Sequence, residues 1–329
     1  MNNKNNIKKT IYIGISSILL LLIAVISMKI GSIDITFKEL ITGILTNNNQ
    51  DNMGIIRDLR MPRVITAILV GANLAVSGVL LQSIIKNPLA DPSVTGISSG
   101  ASLVTIAIMV LFPSLNNYRV LFGFLGGLLS CIIVYLLAFK KNISPMRIIL
   151  AGIAVNAMLG GMTTMITIFN GRNSLSVQMW LSGSLATVTW KDVNALFINT
   201  LIGLIAAFIL FKACNIIILG DKNAKSLGFN ADVLRIVISL VAVFLAGIST
   251  SIVGIIAFIG LVVPHICRIL IGSNHKYLLP FSCIIGAMLL LIADTLGRTI
   301  AKPYEIPVGI VMAVIGGPFF LYLLRRSKA

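Results

Sequence analysis

The sequence predicts an all-α, polytopic membrane protein with about ten transmembrane helices. Three observations carry that reading. Of the 329 residues, 57% are hydrophobic and only 11% are charged, whereas a soluble chain of this length carries about 25% charged residues. Several apolar runs reach the roughly 20 residues that a helix needs to cross hydrocarbon. The basic residues punctuate these runs instead of gathering on one soluble region.

In order, the expected spans are 10–30, 63–85, 93–112, 119–139, 146–170, 192–212, 233–252, 255–265, 277–297 and 306–324. The first follows Lys4, Lys8 and Lys9 and superficially resembles a signal peptide. Its apolar run is too long for a typical h-region and no small-x-small site follows, so it reads as a retained span. The eighth is the shortest. Ile236 to Cys267 holds no Asp, Glu, Lys or Arg and is too long for one helix at about 1.5 Å per residue. Gly247, Ser249, Ser251 and Gly254 offer places to turn, and nine spans is the competing count. Gly123 with Gly127, and Gly152 near Gly160 and Gly161, suit close helix packing in lipid.

Ten spans starting from a cytoplasmic N-terminus put both termini inside. Sixteen of the 26 Lys and Arg residues then fall on cytoplasmic segments, as the positive-inside rule expects. That distribution accounts for the net charge of +16 without a nucleic-acid partner. The external remainder clusters at Arg57, Arg60 and Arg63. No linker or low-complexity tract divides the chain, which reads as one domain over 1–329, with its longest cytoplasmic excursion at about 213–232. Cys131, Cys214, Cys267 and Cys283 form no CxxC pair and read as small buried apolar side chains.

The last third carries the most information. Gly254-Ile255-Ile256-Ala257-Phe258-Ile259-Gly260-Leu261-Val262-Val263-Pro264-His265 leads to Ala293-Asp294, then to Tyr304-Glu305-Ile306-Pro307-Val308-Gly309-Ile310 and Gly317-Pro318-Phe319-Phe320-Leu321. A backbone break in lipid must be satisfied by protein or a water-lined cavity, so these breaks point to a transport pathway. Asp294 and Arg298 are four apart and share a helix face. The pair serves either as a helix-end ion pair or in function.

Lys86-Asn87-Pro88-Leu89-Ala90-Asp91-Pro92 joins spans two and three. Its prolines stop both helices. It is either a tight turn or a constriction lined by Asn87 and Leu89. Leu219 to Phe229 reads as a short helix outside the bilayer, with Ala224 and Leu227 on one face and Gly228 as its stop. Such a helix suits docking into a groove on a partner, or is a plain connector. Gly220 with Lys225-Ser226 lacks the glycine before the lysine and the preceding strand of a P-loop. Any ATP must therefore be bound by another subunit. Gly96-Ile97-Ser98-Ser99-Gly100 matches G-x-S-x-G but opens a membrane span, not a strand-to-helix elbow. An intramembrane protease would need His265 or His275, both in the expected cytoplasmic segment, within reach. His265 has no second metal ligand at useful spacing.

These stretches, with Leu59-Arg60-Met61-Pro62-Arg63 and Gly71-Ala72-Asn73-Leu74-Ala75-Val76-Ser77-Gly78, resemble the FecCD family of binding-protein-dependent ABC transporter permeases over nearly the whole chain. The resemblance implies a type II ABC importer permease in a prokaryotic cell membrane. It implies a second permease subunit, two cytoplasmic ATP-binding subunits and an extracytoplasmic substrate-binding protein. It implies no cofactor, no metal and no catalytic residue in this chain. ATPase coupling would fall to Gly220, Asp221, Ala224, Leu227 and Gly228. Binding-protein docking would fall to Arg60, Arg63 and Arg298, and the cytoplasmic gate to Asn87, Leu89, Asn142 and Ser144. The cargo would be an iron chelate (ferric siderophore or haem) or, alternatively, cobalamin. Asn73 stands where a small apolar residue is common. The competing class is an ATP-independent secondary transporter, which would couple to H⁺ or Na⁺ through ionisable residues near the bilayer midplane.

Overall fold

The computed structural model describes residues 2–30, 54–138, 145–169 and 174–326. Among these residues every regular element is helical. The helices are α1 (Asn2–Lys29), α2 (Met61–Ile85), α3 (Ile97–Leu111), α4 (Arg119–Ala138), α5 (Pro145–Phe169), α6 (Ser174–Leu181) and α7 (Trp190–Ile209). They continue as α8 (Phe211–Ile218), α9 (Asp221–Ser226), α10 (Ala231–Val253), α11 (Ile259–Ile271), α12 (His275–Thr299) and α13 (Val308–Arg326). Seven are long and apolar enough to cross a membrane, and α3, α11 and α13 are shorter apolar helices. Together they match the expected spans in number and order.

The helix α2 is the centre of the bundle. Its apolar window is 83% buried, against 11% for α1, which lies on the rim. Glycine lets neighbours reach the α2 backbone. A Cβ on Gly71 would sit 2.3 Å from the Gly286 carbonyl oxygen of α12, and one on Gly78 would sit 2.0 Å from that of Gly260 in α11. Between these two approaches Asn73 donates to Thr200 of α7 at 2.8 Å and to Ser249 of α10 at 3.1 Å. The unusual asparagine thus ties three helices in hydrocarbon, where small and polar side chains take over from the hydrophobic effect. Gly126 of α4 meets Gly100 of α3 in the same close manner, and Gly123 meets Ser251 of α10. Gly160 and Gly161, by contrast, face open space in the single chain.

The eighth span exists but is displaced. The chain stays helical through Gly247, Ser249 and Ser251 and breaks at Gly254, whose φ of 77° favours glycine. Helix α11 starts only at Ile259 and runs through Pro264 to Ile271. Proline lacks the N–H that would pair with the carbonyl four residues back. Here that carbonyl, on Gly260, accepts from Gln82 Nε2 at 3.0 Å instead.

The broken ends satisfy one another. Ser184 N–H donates to Val253 O at 2.9 Å, Trp180 Nε1 to Ile252 O at 3.0 Å, Gly309 N–H to Gly183 O at 3.0 Å and Ile306 N–H to Gly297 O at 2.9 Å. Added Cβ atoms on Gly183, Gly254, Gly297 and Gly309 would lie 1.9–2.5 Å from backbone oxygens of this knot. Gly78→Ala should cost about 1–3 kcal/mol of stability through overpacking. Gly14→Ala, with nothing within 4 Å of its Cβ, should stay within about 0.5 kcal/mol of the parent. Thermal unfolding in detergent compares the two.

Candidate functional site

Functional side chains gather at the two ends of the bundle. At one end lie Lys9 over the Tyr277 ring at 5.2 Å, Lys86 beside Asp221, and Asn215 bonded to Asn274. At the other lie the C-terminus of α1, the start of α2, the end of α12 and the segment before α13. The spans therefore alternate as the sequence requires.

The second end is built around Asp294. Its carboxylate accepts from Arg63 Nε at 3.1 Å and from Arg63 Nη2 at 3.0 Å, and lies 3.1 Å from Arg298 Nε. The expected i,i+4 pair thus forms, with a second guanidinium from α2. The Asp294 side chain is 1% exposed and that of Arg298 4%. Arg63 also reaches Glu305 Oε2 at 2.7 Å, which fastens the segment before α13. Helix α1 ends against this cluster. Arg60 Nη1 donates to Met28 O at 2.8 Å and Lys29 O at 2.9 Å, and Arg298 Nη2 donates to Ser27 Oγ at 2.8 Å. The last carbonyls of a helix have no partner within it, and cations favour that end. Two arginines from other helices cap α1.

Arg60, Arg63 and Arg298, to which the family resemblance gives binding-protein docking, are all buried and hydrogen-bonded within the chain. Local sequence does not reveal the burial of Arg63, whose acid Asp294 is 231 residues away. Among the described residues Arg57, from the same basic cluster, Lys191 and Lys302 lie exposed there.

At the first end, α9 is framed by two glycines in the left-handed region, Gly220 at φ 101° and Gly228 at φ 81°. Asp221, its first residue, accepts from Arg235 Nη2 at 2.6 Å and from Lys86 Nζ at 3.4 Å. Slight burial works against ionisation of Asp221. The hydrogen bond and charge of Arg235, then Lys86, outweigh it and hold the carboxyl below its usual range. Ala224 and Leu227 do not share an outward face. Ala224 is completely buried against the chain, while Leu219, Leu227 and Phe229 are 56%, 56% and 44% exposed. Six residues of helix define a face but not which neighbour it turns to. A cavity of about 480 Å³ lies beneath, lined by Asp221, Lys225, Phe229 and Asp232 among others.

Asn87 and Leu89 form a turn. Asn87 Oδ1 accepts from Leu89 N–H at 2.9 Å, and Asn87 O from Ala90 N–H at 3.2 Å. Asn142 and Ser144 lie outside the described residues. In the Gly96–Gly100 motif, Ser99 Oγ bonds Asn156 Oδ1 at 2.7 Å, and Gly100 serves the approach to Gly126. His275 Nδ1 is engaged with Asn215 at 2.8 Å. The motif is thus absorbed by helix packing. Among the described residues no group of His, Cys, Asp and Glu could hold a metal ion.

Residues 19–326 match the model of the FecCD transport family. The probable heme-iron transport system permease protein IsdF of Staphylococcus aureus is 41% identical over 323 residues, covering 98% of each chain. The Fe(3+)-citrate import system permease protein YfmD of Bacillus subtilis is 40% identical over 303 residues, 92% of this chain and 91% of the other. A metal-chelate type ABC transporter solved in an inward-facing conformation superposes with a TM-score of 0.82 at 30% identity, covering 96% of this chain and 99% of that one. PsaBC of Streptococcus pneumoniae, in complex with Fab, shares the fold at a TM-score of 0.61 and 19% identity, over 87% and 95% of the two chains.

Asp294→Ala should destabilise the protein by about 3–5 kcal/mol, because it leaves buried guanidiniums unpaired. Glu305→Ala, at a half-exposed partner, should cost less than about 1 kcal/mol. Denaturant titration of the two purified variants measures the difference.

Proposed function

The chain belongs to the FecCD transport family, and on that footing we propose that it is the membrane-spanning permease subunit of a binding-protein-dependent ABC importer. It carries an iron chelate, ferric siderophore or haem, into the cytoplasm. The observation that carries this reading is the match over residues 19–326, together with relatives named for haem-iron and Fe(3+)-citrate transport. The sequence holds no P-loop, so ATP is hydrolysed by two separate cytoplasmic subunits. A second permease subunit completes the pathway, and a binding protein delivers the cargo from outside.

The end holding Lys9, Lys86 and α9 faces the cytoplasm, and both termini lie there. Helix α9 is the ATPase-coupling element. Leu219, Leu227 and Phe229 form its docking face, and exposed apolar side chains of this kind mark partner sites. Ala224 seats the helix from within, Gly220 and Gly228 permit its entry and exit, and Asp221 orients it. Asn87 and Leu89, with Asn142 and Ser144, form the cytoplasmic gate. At the external end Arg60, Arg63 and Arg298 support docking from beneath by fixing the helix ends on which the binding protein lands. Arg57 and Lys302 offer it surface charge.

A secondary transporter would couple through ionisable groups near the bilayer midplane. Asp294 instead lies near the end of α12 and pairs with Arg63 and Arg298, which favours an external energy source. Cells with and without this chain should differ in ATP-dependent uptake of labelled haem or ferric siderophore. A difference confined to cobalamin would establish the other cargo. Uptake abolished by an ionophore while ATP is intact would establish the secondary transporter.

Leu227→Arg should lower ATP-dependent uptake about tenfold or more by spoiling the docking face, with the permease still folded because the side chain is exposed. Uptake and co-purification of the ATPase with this variant, compared with the parent, test the assignment.

A further inference from the structure

Asp91 is used by none of the roles above. It stands in the α2–α3 loop, only 3% exposed. Its carboxylate accepts from Ser93 N–H at 2.8 Å and from the Ser93 hydroxyl. Its Oδ2 lies against Gly260 in the first turn of α11. That helix begins inside the protein. Gly260 packs on Gly78, two turns in from the end of α2. Phe258, before the first residue of α11, supplies no side-chain cap and has a φ of 70°, a rare conformation for a bulky residue. The carboxylate therefore packs against the first turn of a buried helix from another segment. A Cβ on Gly260 would lie 2.8 Å from Asp91 Oδ2, so the glycine is needed for the approach. Gln82 adds a second fastening. Its amide donates to Ala90 O at 3.2 Å and Gly260 O at 3.0 Å and accepts from Arg268.

The opposite side of α11 is packed on α13. A Cβ on Gly316 would sit 2.4 Å from the Phe258 Cβ. The Phe258 and Phe320 rings are 6.5 Å apart, and the His265 and Phe319 rings 6.1 Å. The same loop starts at Lys86, whose Nζ lies 3.4 Å from Asp221 of α9. Contacts therefore run from α9 through the loop and α11 to α13. We propose that Asp91 is a positioning residue that clamps the α2–α3 loop to the N-terminus of α11, so that loop and helix move as one body and carry movement from α9 to α13. The proposal rests on the importer reading above. It assigns a task to a strained residue, Phe258, as the contact through which α11 pushes on α13.

The test uses the complete importer, with its ATP-binding and extracytoplasmic subunits, in proteoliposomes. Uptake of labelled haem and of labelled ferric siderophore is measured with ATP hydrolysis in the same sample. The proteins are wild type, Asp91→Ala, Asp91→Asn, Phe258→Ala and the Asp91→Ala/Phe258→Ala double variant. Loss of the buried carboxylate with its hydrogen bonds to Ser93 should lower uptake per ATP hydrolysed about tenfold in Asp91→Ala, while hydrolysis persists. Asp91→Asn, which keeps the side chain's size and an acceptor for Ser93 N–H, should recover part of the ratio. The double variant should be no worse than Asp91→Ala, since both changes cut one path. A wild-type ratio in Asp91→Ala, or multiplying losses in the double variant, overturns the clamp. If Asp91→Ala fails to assemble, an unchanged ratio in Asp91→Asn together with multiplying losses in the Asp91→Asn/Phe258→Ala pair does the same. A wild-type complex that takes up neither chelate overturns the importer reading itself.

Discussion

Hydrocarbon offers no water to a broken backbone, and that constraint shapes this chain more than any other. Four helix ends meet inside the bundle, and each supplies what another lacks. Val253 and Ile252 accept from Ser184 and Trp180, Gly183 from Gly309, and Gly297 from Ile306. Glycine is required because the backbones pass within van der Waals contact of one another. The proline in α11 obeys the same rule. The carbonyl it leaves unpaired, on Gly260, is filled by Gln82. So does α1, whose final carbonyls are filled by Arg60 and Arg298. Side chains that resemble ligand-binding groups in the sequence are thus first of all the partners of interrupted helices.

Function follows from how these joints are distributed. Near the end of α12 the carboxylate of Asp294 holds two guanidiniums and, through Arg63, a third segment. A buried cluster of this kind is costly to break by halves. At the opposite end the pairs around Asp221 are half exposed, and such pairs rearrange at little cost. Apolar side chains flanking α9 lie exposed there. On the importer reading proposed above, the firm end is the outer one, where a binding protein lands, and the yielding end is the inner one, driven from the cytoplasm.

Much of this was legible in the sequence. Composition and charge spacing pointed to the membrane class, and the length of the apolar runs placed most of the spans, though not the eighth, to within a few residues. The Asp294–Arg298 pair follows from helical spacing alone. What escaped was everything set by distant segments. The break after α10 could be foreseen, but the carbonyl that Pro264 frees in α11 is met by Gln82, 178 residues upstream. The burial of Arg63 depends on Asp294, and the inward turn of Ala224 depends on how α9 lies against the bundle. Asn73, puzzling in the sequence, is explained by Thr200 and Ser249. Periodicity reports one helix at a time, whereas these contacts join helices far apart in the chain.

The central claim is that the interrupted backbone is satisfied by protein and not by lipid or penetrating water. Hydrogen–deuterium exchange on the permease in lipid nanodiscs, read at the amides of Ser184, Gly254, Ile306 and Gly309, tests it most directly. The account predicts exchange as slow as in the interior of α2, because each amide has a backbone acceptor in the bundle. Complete exchange at these four amides within seconds, with α2 still protected, would contradict it.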